Sequence, residues 1–233
     1  MTRKTFVIIG GTSGLGLEIA AQLDQCEQHP VVIGNVEEEV RDAERDVAYA
    51  GFVCDVSNHE KLEATLKHIF NTMGPIAGVV NCAAMWVHAG PFHELPPDTL
   101  RASTEVNFLG TAYAAHTAIN QLLEQGAGGS LVLVAAMAAV RPGPGIALYA
   151  AQKAGVRQLA LSLAQMYGPE GIRISVVHPG GMLTELQNRV GAQYTDPVHA
   201  DAADVARVVV NVLLNDAPLV ITDMQVVHQA GKW

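Results

Sequence analysis

Short apolar runs alternate with segments of helical periodicity along the whole chain. The apolar runs predict strands at 5–9, 31–34, 49–53, 75–80, from Leu131 onward, 172–177 and 219–227. Apolar residues at three- and four-residue intervals predict helices that include 58–73, 97–125, 149–167 and 201–214, the first of them capped by Ser57. The charged stretch 37–46 predicts a solvated helix or loop. This alternation predicts a single α/β domain, residues 1–233, with a doubly wound parallel sheet of about seven strands.

Composition and charge exclude several classes of protein. The 233 residues are 49% hydrophobic and 16% charged, which is typical of a globular domain. A net charge of −9 argues against nucleic-acid binding. No apolar run approaches the ~20 residues of a membrane span, and the run before Gly10 is too short for a signal peptide. Cys26, Cys54 and Cys82 are widely spaced and the histidines form no ligand cluster, so we expect reduced thiols, a cytoplasmic protein and no metal site.

A glycine-rich segment separates the first strand from the first helical pattern. It reads Gly10-Gly-Thr-Ser-Gly14-Leu-Gly16, and strand, glycine turn and helix form the context that a phosphate-binding loop requires. Gly10 permits a tight turn, Gly14 lets the backbone approach a pyrophosphate, and Gly16 lets the helix pack closely on the strand. The amino end of the helix offers free N–H groups to the phosphates. The alternative is an ordinary glycine-rich turn.

Two polar residues follow the second and third strands. In a doubly wound sheet, the residue that closes the second strand faces the adenosine ribose of a dinucleotide. That residue is Asn35, which can bond a hydroxyl but cannot neutralise a phosphate, so the sequence favours NAD(H), with NADP(H) as the alternative. Asp55 either closes a turn or meets the adenine together with the following backbone.

Tyr149 and Lys153 are four residues apart at the start of a predicted helix, where they share one face. A nearby ammonium favours the ionised form of a phenol, which makes the tyrosine a useful acid or base near neutral pH. Asn107, in the middle of an apolar helical stretch, is either a binding residue or a satisfied core asparagine.

Together these motifs resemble the short-chain dehydrogenase/reductase family of the Rossmann type over essentially the full chain. The motifs follow one another in the family's order: Gly10-x3-Gly14-x-Gly16, Asp55-Val56, Asn81-Cys-Ala-Ala, Asn107, Tyr149-x3-Lys153 and Pro179-Gly180. The resemblance implies the sheet order 3-2-1-4-5-6-7, with helices on both faces. It also implies hydride transfer between a nicotinamide cofactor and a carbonyl or alcohol carbon.

Roles for individual residues follow from the resemblance. Tyr149 is the expected proton donor or acceptor, Lys153 lowers its pKa and holds the nicotinamide ribose, and Asn107 keeps a water in the proton relay. The expected cofactor contacts are Gly10, Thr12, Ser13, Gly14, Leu15, Gly16, Asn35, Asp55, Val56, Asn81, Ala83, Tyr149, Lys153, Pro179, Gly180, Met182 and Thr184.

The chain departs from the family at one catalytic position. The family places a serine thirteen residues before the tyrosine, where its hydroxyl bonds the substrate oxygen, and Ala136 stands there instead. No hydroxyl occurs between Leu131 and Leu148. The alanine is an engineered change, or another donor such as His88, His93 or a water binds the oxygen, or the protein is a nucleotide-binding regulator without catalysis. A working or once-working oxidoreductase is the favoured interpretation.

The substrate is expected to be a small alcohol or ketone, cyclic or aromatic. Residues expected to line its pocket are Trp86, His88, Phe92, His93, Met137, Met182, Leu183 and Tyr194. The irregular segment 182–198 is expected to cover the substrate. The family commonly pairs the Asn107 and Tyr149 helices across a two-fold axis, so we expect a homodimer or homotetramer. Its contact would use Ala114, Ala118, Ala154 and Leu161 as outer residues.

Overall fold

A parallel sheet forms the centre of the protein in a computed structural model that describes residues 3–47, 50–86, 90–182, 184, 199–216 and 218–231. Its strands are β1 Thr5–Ile9, β2 His29–Gly34, β3 Ala50–Val53, β4 Ile76–Asn81, β5 Gly129–Val134, β6 Ile172–Pro179 and β7 Asp223–Val226. All neighbouring strands are parallel and their order is β3-β2-β1-β4-β5-β6-β7. The predicted fold class and strand order are therefore confirmed.

Helices cover both faces of the sheet. They are α1 Gly14–Gln25, α2 Glu37–Val47, α3 His59–Met73, α4 Pro97–Thr104, α5 Thr111–Gln125, α6 Ala147–Tyr167 and α7 Ala202–Leu214. Successive residues of a strand point to opposite faces. Val7 and Ile9 therefore enter the core beneath α3, α5 and α6, while Phe6 and Ile8 enter the core beneath α1 and α7.

The structure corrects three predicted element boundaries. The single helix expected over 97–125 contains a π-helical segment, Glu105–Gly110, between α4 and α5. The cap of α3 is Asn58, whose side chain accepts a hydrogen bond from the Lys61 N–H, whereas Ser57 bonds Asp55. The last strand begins only at Asp223, because residues 219–221 are exposed and pair with no strand in the described part of the chain.

Two residues expected on an outer, intersubunit face are instead in the core. Ala114 and Ala118 are fully buried on the side of α5 that faces the sheet, together with Ile119 and Leu122. Their small side chains let the helix approach the strands, so they are not available to a partner. Of the other two expected contacts, Ala154 is exposed and Leu161 is half-buried.

Most of the segment 182–198 lies outside the described residues. At its ends, Met182 pairs with Ala200 in an isolated parallel bridge. Across the described ranges, every helix is too short or too polar to cross a lipid bilayer.

Candidate active site

A cavity of about 420 Å³ opens at the carboxyl ends of the strands, where β1 has neighbours from both halves of the sheet. Ligands of open α/β sheets bind at this point because the loops after neighbouring strands diverge there. The wall includes Ile9, Gly10, Thr12, Ser13, Gly14, Leu15, Gly16, Asn35, Glu39, Asp55, Val56, Cys82, Ala83, Trp86, Val134, Ala136, Met137, Ala138, Arg141, Ile146, Tyr149, Lys153, Pro179, Gly180, Met182 and Thr184. Every expected cofactor contact except Asn81 is in this wall.

Asn81 instead holds the framework behind the cavity. It is 1% exposed, its amide donates to the Thr111 hydroxyl, and its carbonyl oxygen accepts from the Ala83 N–H. These bonds join the end of β4 to α5. Asn81 does not line the cavity, and the cofactor contact expected of it stays a prediction.

The glycine-rich loop has the geometry of a phosphate cradle. Gly10 has a φ of 75° and Gly14 a φ of 51°, a region that favours glycine. A Cβ on Gly16 would lie 2.1 Å from the Gly10 carbonyl oxygen, so only glycine lets α1 start this close to the loop. The Ser13 side chain makes no capping bond, and the first turn of α1 has no acidic residue. The N–H groups at the start of α1 are therefore available to an anion.

The far end of the cavity is acidic. The first turn of α2 contains Glu37, Glu38 and Glu39, and Glu39 lines the cavity beside Asn35. The Thr12 hydroxyl donates to Glu39 Oε2 at 3.3 Å, which joins the glycine-rich loop to α2. The sequence interpretation weighed Asn35 alone and missed Glu39, although its position one turn into the helix after β2 was a signal.

Asp55 closes a turn at the same end of the cavity. Its Oδ1 accepts hydrogen bonds from both the N–H and the hydroxyl of Ser57. Asp55 and Val56 also line the cavity, so the two alternatives for Asp55, closing a turn and facing a ligand, are compatible.

Tyr149 and Lys153 meet at the other end of the cavity. Lys153 is 1% exposed, and its Nζ donates to the Val134 carbonyl at 3.0 Å and lies 5.7 Å from the Tyr149 ring centroid. Burial lowers the pKa of Lys153 from 10.5 to about 8, and the nearby Cys82 opposes this shift. Burial also raises the pKa of the Cys82 thiol to about 12, partly offset by Lys153. The cavity wall therefore combines a neutral thiol with a destabilised ammonium beside a phenol.

Ala136 lies in the same wall, at the start of a short 3-10 helix, Met137–Ala139. Its carbonyl oxygen accepts from the Ala139 N–H at 2.9 Å and faces His178 Nδ1 at 3.2 Å. The side chain that would place a hydroxyl in the cavity is a methyl group here. The structure thus puts the gap beside the tyrosine–lysine pair, as the spacing in sequence predicts.

A buried hydrogen-bond network, not predicted from the sequence, holds the Ala136 carbonyl. His178 is fully buried, and its Nε2 lies 2.7 Å from Asp223 Oδ1 while its Nδ1 faces the Ala136 carbonyl. The imidazole thus links the Asp223 carboxylate to the Ala136 carbonyl. Arg157 also donates to Asp223. Burial alone raises the pKa of Asp223, but hydrogen bonds from Arg157 and His178 outweigh it and hold that pKa below its usual value.

The sequence contained one signal for this network. Tyr149, Lys153 and Arg157 recur at four-residue intervals, so all three lie on one stripe of α6. Lys153 bonds the Val134 carbonyl directly, and Arg157 reaches the Ala136 carbonyl through Asp223 and His178. The end of β5 is therefore anchored by two cations of the same helix.

The Asn107 side chain does not line the cavity. It is fully buried, accepts from the Met85 N–H, and donates to the Met85 carbonyl and to Gln152 Oε1. Gln152 in turn donates to the hydroxyls of Ser103 and Thr104. These contacts match the alternative of a satisfied core asparagine. The relay role implied by the resemblance stays a prediction.

Three of the expected substrate residues, Trp86, Met137 and Met182, line the cavity. The Trp86 ring meets the Tyr149 ring edge-on, with centroids 4.9 Å apart. His93 is placed elsewhere: its side chain is 82% exposed and pairs with Glu94, because the short 3-10 helix that carries it lies on the surface. Phe92, on the same helix, is also exposed. His88, Leu183 and Tyr194 lie outside the described residues.

Among the side chains that the structure describes, no three His, Cys, Asp or Glu groups come together as a metal site. The described cavity therefore offers an organic ligand a glycine-lined cradle at one end and a phenol–ammonium pair at the other.

Comparison with known proteins agrees with this arrangement. A family model described as short chain dehydrogenase matches residues 4–195. The chain is 30% identical over 189 residues to the short chain dehydrogenase/reductase astE of Aspergillus oryzae, covering 78% of this chain and 72% of that protein. It is 28% identical over 194 residues to a 2,5-dichloro-2,5-cyclohexadiene-1,4-diol dehydrogenase of Sphingobium indicum, covering 81% and 76%.

The fold also matches solved structures. One of them, ElxO with NADP bound, superposes with a TM-score of 0.87 at 21% identity, covering 97% of this chain and 98% of that one. At this level of identity, the likeness concerns the fold alone.

Proposed function

Because the chain belongs to the short-chain dehydrogenase family, a family of nicotinamide-dependent oxidoreductases, we propose that it interconverts a small alcohol and its carbonyl compound. One observation carries the proposal: a lysine that is 1% exposed keeps its ammonium beside a tyrosine in the wall of a cavity with a phosphate cradle. Burying the Lys153 ammonium lowers the stability of the fold, so its presence at this position is better explained by function than by folding.

The described residues fit a dinucleotide. Gly10, Gly14 and Gly16 form a loop that a Cβ would fill or strain, and the open N–H groups of α1 face the same space. Asn35 and Asp55 would contact the adenosine end. Pro179, Gly180 and Met182 would flank the nicotinamide end, and Thr184 would lie near the phosphates. When bound, the nicotinamide ring supplies or accepts the hydride.

In the proposed mechanism, Tyr149 moves the proton. In the direction of reduction, its hydroxyl gives a proton to the substrate oxygen while the carbonyl carbon gains a hydride, so the product is the neutral alcohol. The phenolate that remains is stabilised by the Lys153 ammonium and regains a proton from solvent. Oxidation reverses each transfer. The Val134 carbonyl holds the ammonium in place at 3.0 Å.

NAD(H) is the proposed cofactor. A 2′-phosphate at Asn35 would meet the acidic first turn of α2, where Glu39 lines the cavity. Like charges within a few ångströms repel each other. The 2′-hydroxyl of NAD(H) is uncharged and meets no such repulsion. The NADP in the ElxO structure is a property of that protein, and the Glu37–Glu39 cluster is what supports the opposite preference here.

The methyl group of Ala136 is proposed to lower the rate without abolishing it. Loss of one preorganised donor at a developing oxyanion costs about 10²–10³ in turnover. Tyr149 and Lys153 remain, so a measurable rate is expected. A ring alcohol or ketone is the proposed substrate class, supported by the aromatic wall at Trp86 and by the cyclic diol in the name of the Sphingobium relative.

The experiment that tests the proposed function compares the protein with its Tyr149→Phe variant. NADH oxidation is followed with isatin, camphorquinone and cyclohexanone, and NADH affinity is measured by fluorescence titration. The variant is expected to lose turnover by about 10³-fold, as for removal of an essential proton donor, with an unchanged NADH affinity. Equal turnover in the two proteins would show that the tyrosine mechanism is wrong.

The alternative is a regulatory protein that binds NAD(H) without catalysis, and the missing hydroxyl at Ala136 is the observation that favours it. Tight NADH binding with no turnover across the carbonyl panel and a matching alcohol panel would support this alternative.

Two further proposals concern assembly and cellular environment. A homodimer or homotetramer, with Ala154 and Leu161 in its contact, would give a solution mass above that of one chain. A monomeric mass by light scattering would contradict it.

The free Cys26, Cys54 and Cys82 support a reducing, cytoplasmic environment, which labelling of the protein in cells would test.

A further inference from the structure

The charged residues of the cavity wall are separated by sign. The wall contains two carboxylates, Glu39 and Asp55, which follow β2 and β3. It also contains two cations, Arg141 and Lys153, which follow β5, three or four positions further across the sheet. Neighbouring strands lie about 4.8 Å apart, so roughly 14–19 Å of sheet separates the two signs. This exceeds the Debye length of about 8 Å at physiological salt, so the carboxylates do not neutralise the cations.

Of the two cations, Arg141 is the one that no described residue engages. Lys153 is buried and donates to the Val134 carbonyl. The Arg141 side chain makes no hydrogen bond or ion pair with any residue that the structure describes. Arg141 is exposed and also lines the cavity, so it lies at the cavity mouth. An anionic group on a ligand therefore finds an unpaired guanidinium in the same cavity as the phenol.

Backbone hydrogen bonds hold the loop that carries Arg141. The Arg141 N–H donates to the carbonyl of Met137, a wall residue, at 2.8 Å. Pro142 follows and restricts the backbone of Arg141. The Gly145 carbonyl accepts from the Gly90 N–H at 3.1 Å, and the helix of Tyr149 begins two residues later. Arg141 therefore lies on a short, anchored connection between the end of β5 and the tyrosine.

The rest of this end of the cavity suits the carbon frame of a ring. Its other side chains include Trp86, Ala136, Met137, Ala138, Ile146 and Met182, none of which is charged. Apolar and aromatic side chains hold the body of a small ligand, while a few polar groups fix its orientation. A planar guanidinium binds a carboxylate through two parallel hydrogen bonds, which adds geometric specificity to the attraction of charge.

We infer that the substrate is a ring ketone or alcohol that carries a carboxylate, and that Arg141 binds this carboxylate; this inference rests on the proposed function. The carboxylate lies at the cavity mouth, the ring lies against the apolar wall, and the carbonyl reaches Tyr149. Because the carboxylate keeps its charge throughout the reaction, Arg141 binds substrate and transition state equally. It therefore determines specificity through substrate binding rather than through turnover.

The test compares pairs of ketones that differ in charge and little in shape. One pair is a cyclohexanone with a carboxylate para to the carbonyl and the corresponding carboxamide, and the other is the carboxylate and the carboxamide of isatin. The original protein, assayed with NADH, is expected to prefer the carboxylate of a pair by about 10-fold in kcat/KM, a value that allows for partial exposure of the guanidinium. The preference is expected to shrink at about 1 M salt, because the Debye length falls to about 3 Å.

Variants assign the preference to one side chain. Arg141→Gln is expected to abolish it, mostly through a higher KM for the carboxylate. Arg141→Lys keeps the charge without the planar fork and is expected to retain part of it. Arg101→Gln removes the same charge from an exposed position on α4 outside the cavity wall, and is expected to leave the ratio unchanged. Fluorescence titration with NADH shows whether Arg141 serves the cofactor instead.

Three results would overturn the inference while leaving the proposed function intact. The first is an equal kcat/KM for the two members of both pairs, and the second is a preference that survives Arg141→Gln. The third is a loss of NADH affinity in Arg141→Gln as large as the loss in kcat/KM. Each is compatible with a protein that reduces the carboxamides and that Tyr149→Phe inactivates. A protein without turnover on any ketone would instead overturn the proposed function itself, and this inference with it.

Discussion

Replacing Lys153 with methionine tests the physical basis of the site directly, because it removes the buried charge and keeps an unbranched side chain. The ammonium is 1% exposed, and burial lowers its pKa from 10.5 to about 8. That difference corresponds to about 3 kcal/mol of destabilisation of the folded, protonated state. Methionine cannot form the hydrogen bond to the Val134 carbonyl, and the loss of that bond destabilises the folded variant by about 1 kcal/mol.

Near pH 7, Lys153→Met without ligand is therefore expected to be more stable than the original protein by about 2 kcal/mol, while turnover is lost. The advantage depends on pH in a defined way. Below pH about 8 the lysine is protonated in both states and the full penalty applies. Between pH 8 and 10.5 the folded protein releases the proton that the unfolded chain still holds, so its stability rises with pH. The advantage of the methionine variant fades across this window.

The assay is urea unfolding of both proteins at pH 7 and at several values up to pH 10.5, with midpoints converted through a common slope. Lys67→Met, at an exposed lysine of α3, serves as the control and is expected to change stability little at any pH. Two results would refute the assignment of a destabilised, buried ammonium. One is a Lys153→Met variant less stable than the original protein at pH 7, and the other is a stability difference that does not change with pH.

Three further changes probe the network, the loop and the cofactor end. Asp223→Asn is expected to lower stability near neutral pH by about 2 kcal/mol, because it removes the carboxylate that bonds the half-buried Arg157 guanidinium and the buried His178 ring. Since the pKa of Asp223 is depressed, urea unfolding should show the difference shrinking as pH falls through that pKa. Gly16→Ala should prevent stable folding, since its Cβ would lie 2.1 Å from the Gly10 carbonyl oxygen; Gly168→Ala, with open space around it, should leave the melting temperature nearly unchanged. Glu39→Arg is expected to raise the ratio of NADPH to NADH affinity by at least about 10-fold through reversed charge at the ribose, and an unchanged ratio in parallel titrations would contradict the proposed preference.

Local patterns were sufficient for the fold because each reports on a neighbour in sequence. Apolar runs of strand length, separated by segments of helical period, require a sheet with helices on both faces. The glycine-rich turn between Ile9 and Leu15 and the four-residue spacing of Tyr149 and Lys153 are local as well. The structure confirms the sheet and places both motifs in one cavity.

Predictions based on which side of an element a residue faces were less secure. Ala114 and Ala118 look suited to an outer contact by size, but the rotation of α5 about its axis buries them. The π-helical segment Glu105–Gly110 directly precedes α5, and the wider turn of a π-helix changes the angular position of the residues that follow. The loop position of His93 predicts a pocket residue, yet a short 3-10 helix holds it at the surface.

The sequence by itself determined the fold class, the cradle, the tyrosine–lysine pair and the absence of a hydroxyl at Ala136, since each is written in consecutive or regularly spaced residues. Only the tertiary structure brought Asp223 to His178 and the Trp86 indole to Tyr149. These contacts join residues distant in the chain, and their formation depends on how the strands are ordered and how the helices pack upon them. Charge burial at Lys153 belongs to the same class, because a pKa responds to surroundings assembled from every part of the fold.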